Sequence, residues 1–101
     1  MHKGGYIYIL TNYTKTTLYI GVTNDITRRI YEHKNHIYRN SFTDKYNVNI
    51  CIYYEDFNTI EEAISREKEI KKWSRKKKEN LINTINPEWK EIDVGYVDVS
   101  N

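Results

Sequence analysis

One cysteine, one proline, one methionine and four glycines stand among 101 residues, and long apolar runs are missing. The lone Cys51 excludes an intramolecular disulfide framework and cannot make a structural zinc site by itself. No stretch approaches the roughly 20 apolar residues that a membrane-spanning helix needs. The N-terminus lacks the basic region and apolar run of a secretory signal, so a cytoplasmic, reducing setting is expected, with no membrane partner. The length predicts one domain over residues 1–101, with a core at about 5–90 and a C-terminal extension at 91–101.

Tyrosine is abundant: ten copies supply the amphipathic area that a modest aliphatic content does not. The net charge of +2 hides an asymmetry. Arg66, Lys68, Lys71, Lys72, Arg75, Lys76, Lys77 and Lys78 crowd one segment, opposed there by Glu67 and Glu69. Beyond Lys78 the balance reverses, through Glu79, Glu88, Glu91, Asp93 and Asp98. A basic field of this kind attracts polyanions such as nucleic acid, and a solvated helix surface is the plain alternative.

Residues 5–12 and 17–22 read as two strands joined by a polar turn, an antiparallel hairpin. Alternation puts Tyr6, Tyr8 and Leu10 on one face and Ile7 and Ile9 on the other; Tyr19 and Gly21 oppose Leu18, Ile20 and Val22. Asn24 or Asp25 caps a helix running to about Lys34, with Ile26, Ile30 and Ile37 as its apolar stripe. Arg29 and His33, at i and i+4, project from one side of it. Residues 36–47 show no period and read as a loop, ahead of a third strand over Val48–Glu55. Thr59 and Glu62 form a capping box before a second long helix, with Ile60, Ala63, Ile64 and Ile70 inward. Glu67 falls within that stripe, and an ionised carboxylate there needs a partner. Ser74 caps a last helix to about Thr84, with Leu81, Ile82 and Ile85 inward, and Pro87 stops it.

Tyr6-Ile7-Tyr8 and Tyr19-Ile20-Gly21, followed by Arg29 and His33, resemble the signature of the GIY-YIG nucleases, with Tyr6 where the family name has glycine. The likeness spans about residues 5–90 and points to the small stand-alone bacterial-type members. It implies an α+β (α/β) fold, a small three-stranded antiparallel sheet flanked by about three helices. It implies a divalent-metal-dependent endonuclease acting on DNA, with Tyr8, Tyr19, Arg29, His33 and Glu67 as catalytic residues. Glu67 would ligate a single Mg²⁺ or Mn²⁺, and Asn86 matches a C-terminal asparagine of the site.

The residue types suit that chemistry. A carboxylate-held hard cation acts as a Lewis acid and positions water. Arginine contacts phosphate oxygens in bidentate fashion, and histidine shuttles protons. A phenol with pKa near 10 is a poor base at neutral pH unless a cation assists it. The bland readings are packing for the tyrosines, a hydrogen-bonding role for His33, and an ion pair of Glu67 with Arg29 or Lys45. Gly21 reads as a point of close approach by backbone or substrate. Arg28, Lys45, Lys71, Lys72, Arg75 and Lys76 are the candidate nucleic-acid contacts. Tyr38, Arg39, Phe42 and Lys45 are placed either to touch bases and backbone or to pack the loop. The competing functions are a non-cleaving nucleic-acid-binding module and a repair-complex adaptor. A separate recruiting protein is an expected partner, because nothing here is long enough to be an added DNA-binding domain.

Overall fold

A computed structural model describes residues 4–95. The expected hairpin forms from β1 (Gly5–Thr11) and β2 (Leu18–Thr23). Asn12 makes its turn, its Oδ1 accepting from the backbone N–H groups of Thr16 and Thr17 at 2.9 and 3.2 Å. β3 (Ile50–Phe57) pairs antiparallel with the other side of β1, giving the order β2-β1-β3. The central strand is thus the first in sequence, and β2 is an edge.

The remaining elements are α1 (Ile26–Lys34), α2 (Phe42–Lys45), α3 (Ile60–Lys71) and α4 (Arg75–Asn83). Asp25 caps α1 through Arg28 N–H, and Ser74 caps α4 through Lys77 N–H. Thr59 and Glu62 complete the expected capping box on α3. Such caps satisfy backbone donors that a helix start leaves orphaned, worth about 0.5–2 kcal/mol each.

Alternation along β1 divides the core. Ile7, Ile9 and Ile20 meet Ala63 and Ile70 of α3 and Ile82 of α4 on one face of the sheet. Tyr8 and Leu10 meet Ile26 and Ile30 of α1 on the other, with Val48 and Cys51. The three-stranded antiparallel α+β architecture expected from the sequence is therefore present, with a fourth helix added.

Four details differ. The stretch 36–47 holds the one-turn helix α2, capped by Ser41 and flanked by left-handed residues His36, Asn40 and Asn47. β3 starts and ends two residues later than expected, and its register with β1 skips Ile52 between Ile9 and Leu10. That bulge turns Ile52 and Tyr53 into the same core cluster, which simple alternation forbids. Ile37, Ile64 and Ile85, expected inward, are exposed; Ile37 and Ile85 lie beyond the ends of their helices. Finally, the start of the expected extension packs back: Ile92 N–H donates to Cys51 O at 2.8 Å and Val94 joins the Tyr8 cluster. Residues 96–101 of that extension lie outside the described residues.

Candidate active site

Tyr8 stands opposite Gly21 in the hairpin, and Tyr19 stands opposite Leu10 on the same sheet face. A Cβ on Gly21 would lie 2.2 Å from Tyr8 Cζ and 2.3 Å from its hydroxyl oxygen. Gly21 is thus a point of close approach, but what approaches is the Tyr8 ring rather than the backbone or substrate expected from the sequence. The ring has no solvent exposure, so its hydroxyl needs a partner; an unmade bond there would cost about 1–3 kcal/mol. His33 provides it, with Nε2 3.0 Å from the phenol oxygen. The other ring nitrogen, Nδ1, lies 3.1 Å from Thr43 Oγ1.

Tyr19 completes the cluster, its ring centroid 6.3 Å from that of Tyr8 and 5.9 Å from that of His33. Arg29, one turn before His33 on α1, lines the same cleft of about 240 Å³ with Tyr38 and Phe42. Its guanidinium sits 5.5 Å over the Tyr38 ring, and Nε lies 3.5 Å from Glu32 Oε1. That approach lacks hydrogen-bond alignment, so Nε is buried with no hydrogen-bond partner among the described residues. A larger cleft, about 370 Å³, lies against the same helix between Ile30, Lys34 and residues 91–94, and holds none of the expected site residues.

Burial governs the titration of both proton-handling groups. It pushes the Tyr8 phenol well above its ordinary range, with Tyr19 adding to the rise and the Arg29 charge opposing it. Burial, then the Arg29 charge, lowers His33 to about 4, against a smaller opposite effect of Glu32. At neutral pH the pair is therefore neutral phenol and neutral imidazole.

Glu67 lies on α3, which packs against β1 and β2 from the opposite face of the sheet. Its side chain is 14% exposed and pairs with Lys71 Nζ at 2.9 Å, one turn along, rather than with Arg29 or Lys45. Lys71 in turn lines a groove with Leu18, Tyr19, Ile20, Phe42 and Lys78 along the β2 edge. Tyr8, Tyr19, Arg29 and His33 thus gather on one sheet face, whereas Glu67 lies on the other, next to a lysine that lines the edge groove.

Among the described residues no group of three or more His, Cys, Asp or Glu side chains comes together. A closed protein cage for a metal does not fit such a donor set. One inward carboxylate does suit Mg²⁺ or Mn²⁺, which keep several waters and bind through one or two carboxylates and substrate phosphate.

The expected contact residues differ in what they are free to do. Arg28, Lys72 and Lys76 are exposed, and Lys45 stacks its ammonium 5.5 Å over Tyr46. Arg75 is occupied: it pairs with Glu79 at 2.9 Å and donates to the Thr16 and Lys15 carbonyls, tying α4 to the hairpin turn. Asn86 is likewise spent on backbone, donating to the bulged Ile52 carbonyl and to Lys90 O at 2.8 Å each. Thr43 and Glu32 went unnoticed in the sequence. Glu32 was legible as an i+3 partner of Arg29, whereas Thr43 meets His33 only once α2 is folded.

An edge hairpin presenting two tyrosines to an arginine–histidine helix is the arrangement of a nuclease-type domain. The family described as the GIY-YIG catalytic domain matches residues 4–80, and the chain belongs to it. Its relatives are small UPF0213 proteins. One from Haloquadratum walsbyi is 36% identical, covering 80% of this chain and 89% of its own length. Another from Staphylococcus saprophyticus is 40% identical, over 77% of this chain and 93% of its own length. The solution NMR structure of a UPF0213 protein from Bacillus halodurans superposes with a TM-score of 0.55 at 28% identity, covering 92% of this chain and 98% of that one. Family membership implies nuclease-type activity on a nucleic-acid substrate. No helix among the described residues is long and apolar enough to cross a membrane.

Proposed function

We propose that this protein is a divalent-metal-dependent endonuclease hydrolysing phosphodiester bonds in DNA, with Tyr8, Tyr19, Arg29, His33 and Glu67 as its catalytic residues. The observation that carries the reading is the neutral Tyr8–His33 pair beside the buried, unpartnered Nε of Arg29. Glu32 offers this guanidinium only a misaligned ion pair, and a phosphate oxygen in the cleft would give it a better-aligned acceptor.

Each residue then has a distinct task. In the tautomer with its proton on Nδ1, His33 donates to Thr43 and leaves Nε2 to accept from Tyr8. Once substrate binding opens a path for water to the buried phenol, its oxygen can take a proton as its own passes to His33, so Tyr8 need never rest as phenolate. Tyr19 orients water or phosphate at the cleft wall, and Arg29 neutralises the phosphoryl oxygens. Glu67 would hold Mg²⁺ or Mn²⁺, which supplies Lewis-acid stabilisation when bound. Lys71 then releases Glu67 and is free for phosphate. Arg28, Lys45, Lys72 and Lys76 contribute salt-dependent contacts to the backbone, and target choice falls to a recruiting protein.

The test is nicking of plasmid and branched DNA with Mg²⁺ or Mn²⁺ by wild type and Glu67→Ala. The proposal expects metal-dependent nicking that falls to background in the variant while its melting temperature holds. Binding without cleavage by the wild type on any substrate would instead establish a non-cleaving module.

A further inference from the structure

Beside the catalytic cleft, the fold displays aromatic rings that it does not bury. Phe42 stacks on Tyr19 with ring planes 25° apart and centroids 6.2 Å apart. Tyr46 follows at 5.0 Å from Phe42. Phe42 is 49% exposed and Tyr46 48%, although both lie on or next to the capped turn α2. That turn is anchored rather than loose: Val48 N–H donates to Thr43 O at 2.8 Å, and Thr43 holds His33. The row of rings is therefore fixed relative to the proton-handling pair.

Its surroundings are cationic. Lys71 and Lys78 line the groove that Phe42 shares with Tyr19 and Leu18, a groove of about 320 Å³ with no carboxylate in its wall. Lys45 sets its ammonium 5.5 Å from the centre of the Tyr46 ring. Aromatic faces edged by ammonium groups fit an unstacked nucleobase flanked by phosphates. They do not fit an intact duplex, whose base faces are already stacked on one another.

We propose that Phe42 and Tyr46 form a stacking platform for an unpaired base of single-stranded DNA, entered along the Lys71–Lys78 groove. The substrate class is then a single strand or the single-stranded arm of a branched molecule. The proposal rests on the nuclease reading only for placing the phosphate beside that base at Tyr8 and Tyr19.

The test is equilibrium binding by fluorescence anisotropy in EDTA, which removes cleavage from the readout. Labelled twelve-residue oligothymidylate is compared with an abasic strand of equal charge, a blunt duplex and oligouridylate. The wild type is expected to bind oligothymidylate at least about fivefold more tightly than the abasic strand, the smallest effect usual for one stacked base. Phe42→Ala is expected to erase that preference without weakening abasic binding, and Phe42→Tyr to keep it. Equal affinity of the wild type for the thymidylate and abasic strands overturns the platform. So does tighter binding to duplex or to oligouridylate, or a Phe42→Ala loss shared equally by both single strands. Base-dependent binding without any nicking would leave the platform standing and remove the nuclease reading. Glu67-dependent nicking without base dependence would do the reverse.

Discussion

Tyr8 carries a hydroxyl into a position without solvent, and His33 is the group that makes this tolerable. The same burial sets a pH dependence. Folded His33 titrates at about 4, below the 6.5 of an ordinary histidine, so the unfolded chain binds its proton first as pH falls. Stability from this group is complete above about 6.5, declines as pH drops through the interval, and is fully lost below about 4. Melting temperatures measured from pH 8 to pH 4 should therefore fall more steeply for wild type than for His33→Gln. Parallel curves would show that burial does not hold His33 neutral. Little of this was legible beforehand. Helical spacing gave Arg29 and His33 a common side, but the depth of His33 and its Thr43 partner depend on α2. That turn lies in a stretch whose polar and aromatic residues follow no period.

The β1–β2 hairpin is the element that makes the site, and Gly21 is its tightest point. A methyl group there would overlap Tyr8 Cζ, which neither the fully buried ring nor the paired strand can easily avoid. Gly21→Ala should lower stability by about 1–3 kcal/mol, as overpacking does, and also displace the Tyr8 hydroxyl from His33. Chemical denaturation with parallel nicking assays checks both, and a variant with unchanged midpoint and rate would refute the contact. Regular elements were easy to read because alternation and caps are local. The bulge at Ile52 was not, since it depends on how β3 meets β1 and on the Asn86 amide that satisfies the freed carbonyl. Arg75 reads as a nucleic-acid contact by its charge, and Asn86 as a site residue by the family likeness alone. Their partners are carbonyls of distant segments, and no local pattern announces those.

At the scale of the molecule, the arrangement turns on an edge strand. α1 and α2 flank the sheet face carrying Tyr8 and Tyr19, and α3 and α4 cover the other. Lys71 of α3 lines the groove along β2, which has no further strand beside it, and Glu67 pairs with that lysine. In the proposed function, a carboxylate from one layer and a phenol–imidazole pair from the other would act on one phosphate. The sequence carried the order of these parts, while the sheet face that each one takes appears only in the fold. The proposed site is expected to catalyse and not merely to bind. The most direct measurement is the nicking rate of Tyr8→Phe, which keeps the ring and removes one oxygen atom. With Mn²⁺ and plasmid DNA, a loss of at least about 100-fold against wild type is expected, the usual scale for a general base, with DNA binding retained. Nicking by Tyr8→Phe at the wild-type rate would contradict it.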